Sequence, residues 1–494
     1  MEFDERALPL TRGQRDIYLA HETGRSGTEW QLGLFVRIGG TVERDALEWA
    51  VGRAVREAEP LRAAVFEADG RVYQRAVDYP DAELAFYDLM NSGAAVQEAR
   101  EIASSIQRTP MSFNGPLFRF ALFQTRPDEF FFFGCCHHIV LDGSGIALVG
   151  LRIASIYSAV ISGEPISPGL FGSLRDLVES ESEYEASDAY LQDQAYWTEN
   201  LPRDAASSYR LPQGTDDSVS YWPSEPVQLN PAVLGRVDRL CDARKLPRSS
   251  VITAACALLV RKWCAEGSEV VLDFPVSRRV SPQSKTLPAM VAGVVPLVLT
   301  VSPDSPVVGF CEHVDARTRE AVQHQRFPVL ALERSAHSRG PGQLANRVSV
   351  NFLPSTFALD FGGAPATASL INAGVVGGFG LVFSGVGDEL FLTTMGSGQP
   401  LSKFAVADLA RRLERVLVAL TADPGRSLSS IDVLDGGELA ALDELGHRGV
   451  LARPVSLPAV SIPVFFAEQV ARAPQVAALV CGERSWTYRE LDEA

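Results

Sequence analysis

No stretch of this 494-residue sequence concentrates lysine and arginine. Acidic residues outnumber basic ones by 61 to 45, for a net charge of −16 and a pI near 5.0. Binding a phosphate backbone requires a concentrated basic face, so nucleic acid is excluded as a partner. No apolar run reaches the roughly 18 residues of a membrane span. The opening Met1-Glu2-Phe3-Asp4-Glu5 is acidic where a secretory leader would be apolar. These absences predict a cytoplasmic protein with no membrane partner. Cysteine is sparse and odd in number, seven in all, with Cys135, Cys241, Cys256, Cys264 and Cys311 set among apolar neighbours. That pattern reads as reduced core thiols. Cys135-Cys136-His137-His138 invites a metal reading. Adjacent residues on a strand point alternately to opposite faces, whereas zinc ligands are spaced so that they converge, and no metal is expected. No short repeat is present. What remains is an ordinary globular composition, 46% hydrophobic and 21% charged, at a length that predicts two or three domains. Arg outnumbers Lys, and Ala, Gly and Val abound, as in proteins of GC-rich bacterial genomes.

Periodicity organises the chain. Residues 11–20 read as a helix capped by Thr11, and 31–38 alternate as a strand does. Leu47, Ala50, Val51, Ala54 and Val55 recur at helical spacing. Residues 62–66 and 71–74 flank an Ala68-Asp69-Gly70 turn, which predicts a hairpin. Residues 117–124 form a second alternating strand, and 130–136 are nearly all apolar, as in a buried central strand. Ile146, Val149, Ile153, Ile156, Tyr157 and Val160 share one face of a following helix, with Ser144 as its cap. Residues 163–187 are polar and read as a crossover between halves. The second half repeats the mixture, with helices at 249–264 and 406–419 and strands at 269–276 and 294–301. Residues 436–462 read as a linker, followed by a short amphipathic helix and a small hairpin unable to bury a core alone.

The strongest chemical signal lies between the buried strand and the helix, in His137-His138-Ile139-Val140-Leu141-Asp142-Gly143. An imidazole with a pKa near 6.5 can accept or position a proton at neutral pH. A nearby carboxylate can fix the backbone, and Gly permits close approach or positive φ. The following helix offers amide N–H groups and a positive dipole end to a developing oxyanion. A lone His is more often a hydrogen-bonded filler; the heptapeptide as a unit points to chemistry.

This heptapeptide resembles the HHxxxDG signature of nonribosomal peptide synthetase condensation domains. Other segments resemble that family's remaining motifs in order: Leu8-Pro9-Leu10-Thr11-Arg12-Gly13-Gln14, then Pro60-Leu61-Arg62, Tyr196-Trp197 with Leu201, Phe274-Pro275-Val276-Ser277-Arg278-Arg279 with Val294-Val295-Pro296-Leu297, and His324-Gln325-Arg326-Phe327-Pro328. The resemblance covers about residues 8 to 435. The tail, with Phe465-Phe466-Ala467-Glu468-Gln469 and Trp486-Thr487-Tyr488-Arg489-Glu490-Leu491, resembles the opening of an adenylation domain and lacks that family's nucleotide-binding motifs.

The resemblance implies an α/β (α+β) fold of two chloramphenicol-acetyltransferase-like lobes in a V-shaped pseudo-dimer, with a tunnel between them. The implied layout is 1–175 for the first lobe, 176–435 for the second, 436–462 for the linker and 463–494 for the truncated adenylation start. Phosphopantetheine arms of carrier proteins would enter from opposite ends, and the acceptor amine would attack the donor thioester. His138 would be the central catalytic residue, as base or as positioning group. Asp142 would pair with an Arg of the other lobe, best aligned as Arg279 with Arg278 as the alternative. Gly143 would let the backbone approach the reacting arm, and His137 and Arg62 would serve structure. The chain itself would bind no cofactor and act as a monomer, its partners being a donor carrier, an acceptor carrier and the adenylation domain of the same module.

Some features depart from the pattern or refine it. Gly377-Gly378-Phe379-Gly380 stands where polar residues are common near the tunnel, so small residues such as Gly378, with Ser144, could make room for a bulky acyl group. Heterocyclisation domains replace the two His by Asp, and epimerisation domains are not followed by adenylation. With the core starting near Met1, the donor is expected in trans, as an aryl or other starter acyl. Two rivals are weighed: a stand-alone CoA-dependent HxxxD acyltransferase, against which the tail speaks, and a catalytically silent docking platform, against which the intact His138, Asp142 and Gly143 speak.

Overall fold

The computed structural model describes residues 7–23, 28, 30–79, 82–202, 223–264, 268–336, 347–353, 358–372, 378–386, 389–396, 401–451 and 461–494. They belong to two units, Met1–Val433 and Leu434–Ala494.

The first unit opens with strand β1 (Leu8–Pro9) and helix α1 (Arg12–Thr23). Thr11 caps α1: its Oγ1 accepts the Gln14 N–H at 3.3 Å, while the Gln14 side chain accepts the Thr11 N–H at 3.0 Å. Next come β2 (Gln31–Gly39), α2 (Arg44–Glu57) and the hairpin of β3 (Ala63–Ala68) and β4 (Arg71–Ala76). That hairpin turns on Asp69 and Gly70 at φ 50° and 71°, the left-handed pair that matches strand twist. β5 (Leu84–Asp88), α3 (Ala95–Gln107), β6 (Phe118–Arg126), β7 (Glu129–His137) and α4 (Gly143–Ser162) complete the first half. The expected polar crossover contains two helices, α5 (Leu174–Glu185) and α6 (Asp188–Asn200). α5 forms because Ser173 and Asp176 close a capping box, and its Leu174, Leu177 and Tyr184 are buried.

The second half runs β8 (Val227–Gln228), α7 (Pro231–Arg244), α8 (Arg248–Cys264), β9 (Glu269–Val276), α9 (Pro282–Lys285), β10 (Gly293–Thr300), α10 (Val307–Gln323), α11 (Val329–Ala336), β11 (Val348–Leu353), β12 (Ala358–Phe361), β13 (Ala364–Asn372), β14 (Phe379–Val386), β15 (Glu389–Gly396) and α12 (Val406–Ala422).

Two six-stranded sheets result, ordered β12-β13-β2-β7-β6-β5 and β10-β9-β11-β14-β15-β8. Each sheet has its own buried core, so the unit is a mixed α/β structure of two lobes. The halves exchange material. β13 leaves the second half to pair antiparallel with β2, Ala366 opposite Ile38 and Ser369 opposite Phe35. Leu287 and Ala289, from the segment joining β9 to β10, are also buried in the first core. A cut near residue 176 would fall inside α5 and assign β12 and β13 to the wrong sheet.

α4 corrects the expectation about apolar runs. Its 20 residues are long and apolar enough to cross a membrane by composition, and half of the apolar window is buried inside the protein. The helix packs on α2 and β12. Its Arg152 donates to Glu57 at 2.7 Å and to the Ser167 carbonyl at 2.7 Å. Packing within the lobe accounts for its apolarity.

The second unit comprises α13 (Gly436–Leu445), α14 (Arg448–Leu451), α15 (Ile462–Arg472), the hairpin of β16 (Ala477–Cys481) and β17 (Arg484–Thr487), and α16 (Tyr488–Asp492). The expected linker is therefore partly helical, because Asp435 and Glu438 form a capping box at the start of α13. Among its described residues none is buried, so this unit has no core of its own.

Candidate active site

β7 carries the site to its place. All nine of its residues are buried, as the Phe130–Phe133 run dictates for a strand covered on both faces. Its last residue, His137, lies opposite Gln31 of β2. The chain then turns, the Val140 N–H returning to the His137 carbonyl at 3.1 Å.

His138 sits in this turn. Its N–H donates to the Trp30 carbonyl at 2.6 Å, and the two rings meet edge-on with centroids 6.3 Å apart. Its Nδ1 is sealed from solvent without a hydrogen-bond partner, yet the residue is only half-buried. The accessible part of His138 therefore lies away from Nδ1. Burial pushes its imidazole pKa below the usual 6.5, with the Asp142 carboxylate and the backbone of residues 138 and 141 acting in the opposite sense. At neutral pH the ring is held neutral, able to accept a proton.

His137 is fully buried and turned away from that role. Its Nδ1 accepts the Ile139 N–H at 3.1 Å, and its Nε2 meets His21 Nδ1 at 3.3 Å. Burial first, then His21 and His138, push its pKa down to about 3. Both ring nitrogens are engaged in shaping the turn. The neighbouring Cys135 thiol donates to Gln31 Oε1 at 3.6 Å, and burial raises it to about 12.

Asp142 is the N-cap of α4, a role the sequence reading gave to Ser144. Its Oδ1 accepts the Gly145 N–H at 2.8 Å. Its Oδ2 accepts Arg279 Nη1 at 2.6 Å, the Val291 N–H at 3.0 Å and the Ala292 N–H at 2.8 Å. Arg279 Nη2 continues to the carbonyls of Leu287 and Ala289, at 3.2 and 3.0 Å. The pair is buried, which meets the requirement that buried charge be paired and hydrogen-bonded. Ser144 cannot be the cap because it is the second residue of the helix; it is half-buried beside Gly143.

Arg278 does not reach Asp142. At φ 54° its backbone turns the side chain the other way, to the carbonyls of Gln325 at 3.0 Å and Phe327 at 3.3 Å, while its N–H donates to Gln325 Oε1. Gly293 makes this possible, since a Cβ there would fall 2.3 Å from the Arg278 guanidinium carbon. A cavity of about 80 Å³ opens beside it, lined by Arg278, Glu181, Tyr184, Arg12, Met290 and Val291 among others. His138 does not line this cavity; Val291, on its wall, is bonded to Asp142.

The glycines divide. Gly143 is exposed, and a Cβ there would meet nothing within 4 Å, so open space lies in front of it. Gly145 is buried, and its Cβ would lie 3.0 Å from Leu141 Cδ2 and 3.2 Å from the Ala289 carbonyl, so only Gly lets α4 dock on the loop of the other lobe. Sequence reasoning missed Gly145. It placed Gln14 in the opening motif without a role; its buried Nε2 donates to the Ile139 carbonyl at 3.0 Å and to Gln74 at 2.8 Å. Arg62 stands apart from this loop, its Nη1 donating to the Val77 carbonyl at 2.9 Å and to Asp78 at 2.5 Å. Gly378 is a buried bend leading into β14, and Gly377 lies outside the described residues.

Two lobes, each with its own sheet and core, clasped by a buried carboxylate–guanidinium pair beside a neutral imidazole, define the two-lobed architecture that resembles chloramphenicol acetyltransferase. The condensation domain family model matches residues 4–351, and the chain belongs to that family, of the nonribosomal peptide synthetase type. It is 27% identical over 501 residues to a dimodular nonribosomal peptide synthase of Bacillus subtilis (strain 168), covering 98% of this chain and 20% of that protein. It is 28% identical over 526 residues to an isonitrile lipopeptide synthase of Mycobacterium tuberculosis, covering 99% and 20%. It is 25% identical over 503 residues to enterobactin synthase component F of Escherichia coli (strain K12), covering 98% and 37%. The chain thus spans only a minor part of these relatives' length. Among solved structures, a mutant starter condensation domain of rhizomide synthetase RzmA, in complex with C8-CoA and Leu-SNAC, aligns with a TM-score of 0.77 at 25% identity, over 87% of this chain and 98% of that one. The first condensation domain of the calcium-dependent antibiotic synthetase aligns with a TM-score of 0.75 at 24% identity, over 87% and 100%.

Proposed function

We propose that this chain forms amide bonds in nonribosomal peptide biosynthesis, joining a donor acyl thioester to the amine of an acceptor aminoacyl thioester. Both substrates ride on the 4′-phosphopantetheine arms of carrier proteins. The observation that carries the reading is His138, a ring held neutral and partly accessible, one turn from the open space in front of Gly143.

The amine nitrogen attacks the thioester carbon. The C–N bond forms as the C–S bond breaks, and the sulfur leaves as a thiol with the proton that the amine gave up. His138 takes that proton or orients the amine that bears it. Asp142 has no free oxygen for this chemistry. It fixes the start of α4 and the 279–292 loop, so that both lobes face the same space.

Likeness to a starter condensation domain solved with C8-CoA supports a starter acyl group as the donor, which in this reading arrives in trans. The acceptor carrier and adenylation domain of the same module are the partners on the other side, which the adenylation-like tail supports. Buried free thiols at Cys135, Cys136, Cys256 and Cys311 support a reducing, cytoplasmic setting.

The test is to incubate the protein with an acyl-loaded donor carrier and an aminoacyl-loaded acceptor carrier, and to read the acceptor by mass spectrometry. Amide on the acceptor is expected. Product from acyl-CoA and free amine alone would instead identify a stand-alone acyltransferase, and carrier binding without product a docking platform.

A further inference from the structure

His138 is bracketed by two residues that are both tied to the same helix. On one side Gln14 of α1 donates to the Ile139 carbonyl at 3.0 Å. On the other, His21, in the last turn of α1, meets the buried ring of His137 at 3.3 Å. The His21 ring is itself seated on Phe113, with centroids 4.6 Å apart, and Phe113 packs edge-on against His137 at 5.3 Å.

The protons in this relay have one consistent arrangement. The Ile139 N–H points at His137 Nδ1, so that nitrogen carries no proton and acts as acceptor. His137 is too deeply buried to hold a second proton at neutral pH, so its single N–H is on Nε2. The group facing that N–H is His21 Nδ1, which must then be the acceptor. The tautomer of His137 is thus set from both sides, by a backbone N–H and by His21, as an outer partner sets the ring orientation of a functional His.

We propose that His21 is a positioning residue for amide formation: by accepting the Nε2 proton of His137 it fixes the ring that shapes the turn, and so holds His138 in its reactive orientation. The inference rests on the condensation reading of the His138 site. It assigns His21 no contact with substrate. Its removal therefore alters the rate of the bonding step more than the affinity for either carrier.

The test uses two variants in the two-carrier amide assay. His21→Asn keeps an acceptor oxygen where Nδ1 stands; His21→Leu keeps bulk and removes the acceptor. His21→Leu is expected to lower kcat about tenfold or more, with KM for each loaded carrier nearly unchanged, while His21→Asn restores most of kcat. Should His21→Leu fold poorly, nitrogen NMR of the wild-type imidazoles decides: His137 is expected as the neutral Nε2–H form. Wild-type kcat in His21→Leu, an equal loss in both variants, or His137 in the Nδ1–H form would each overturn the proposal. Absence of amide with the wild-type protein would instead strike the reaction assignment and leave the NMR result to judge the relay.

Discussion

The carboxylate of Asp142 and the guanidinium of Arg279 meet at 2.6 Å across the seam between the two lobes. The same carboxylate caps α4 and receives two backbone N–H groups of the opposite lobe, from Val291 and Ala292. One side chain thus fixes a helix start, a loop and the register of two lobes. Asp142 belongs to the frame of the site, and the imidazole at 138 to its chemistry.

Asp142→Asn keeps one acceptor for the Gly145 N–H and sets an NH₂ group against Arg279 and two N–H donors. Breaking a buried ion pair from one side costs about 3–5 kcal/mol. The variant is expected to lose stability on that scale together with amide synthesis, read by denaturant unfolding and the two-carrier assay. Wild-type stability with lost turnover would make Asp142 a participant in the reaction instead.

Gly143 and Gly145, two residues apart, are expected to respond in opposite ways. Gly143→Leu places a side chain in open space, so melting should hold while kcat/KM falls about tenfold or more by obstructing the approach. Gly145→Ala presses a methyl on the Ala289 backbone and should cost about 1–3 kcal/mol of stability. Thermal melts with matched kinetics check both. Equal melting losses in the two variants would contradict the division.

Acid should weaken the fold through His137. Its pKa is about 3 in the folded chain against an ordinary 6.5. Above pH 6.5 neither state binds the proton. Between 6.5 and about 3 only the unfolded chain does, so stability is lost as pH falls, on the order of 1 kcal/mol per pH unit. His137→Asn, which keeps an acceptor for the Ile139 N–H, should flatten this part of the stability–pH curve from pH 7 to 5. Parallel curves for the two proteins would refute it.

The elements were legible where pattern and burial coincide. The Phe130–Phe133 run, the Asp69-Gly70 turn and the apolar face of α4 form what local rules predict. The pairing of Asp142 with Arg279 was legible only through family resemblance, and geometry now separates Arg279 from Arg278 by the positive φ of the latter. The rest required tertiary contact. Ser144 has the chemistry of a cap, yet the helix begins one residue earlier and Asp142 takes the role. α5 and α13 were hidden in polar stretches because capping boxes start them, with a few buried side chains in α5 alone and no long apolar face to show. The transfer of β13 to the sheet of the first lobe, and the links from Gln14 and His21 to the His138 turn, join residues more than 100 positions apart. Spacing along the chain carries no record of such contacts.

The most direct test of the account is His138→Ala, assayed with acyl-loaded donor and aminoacyl-loaded acceptor carriers and read by intact-carrier mass spectrometry. The account predicts a folded protein with unchanged melting whose amide yield per unit time drops to about one per cent of wild type or less. Wild-type yield from that variant would contradict it.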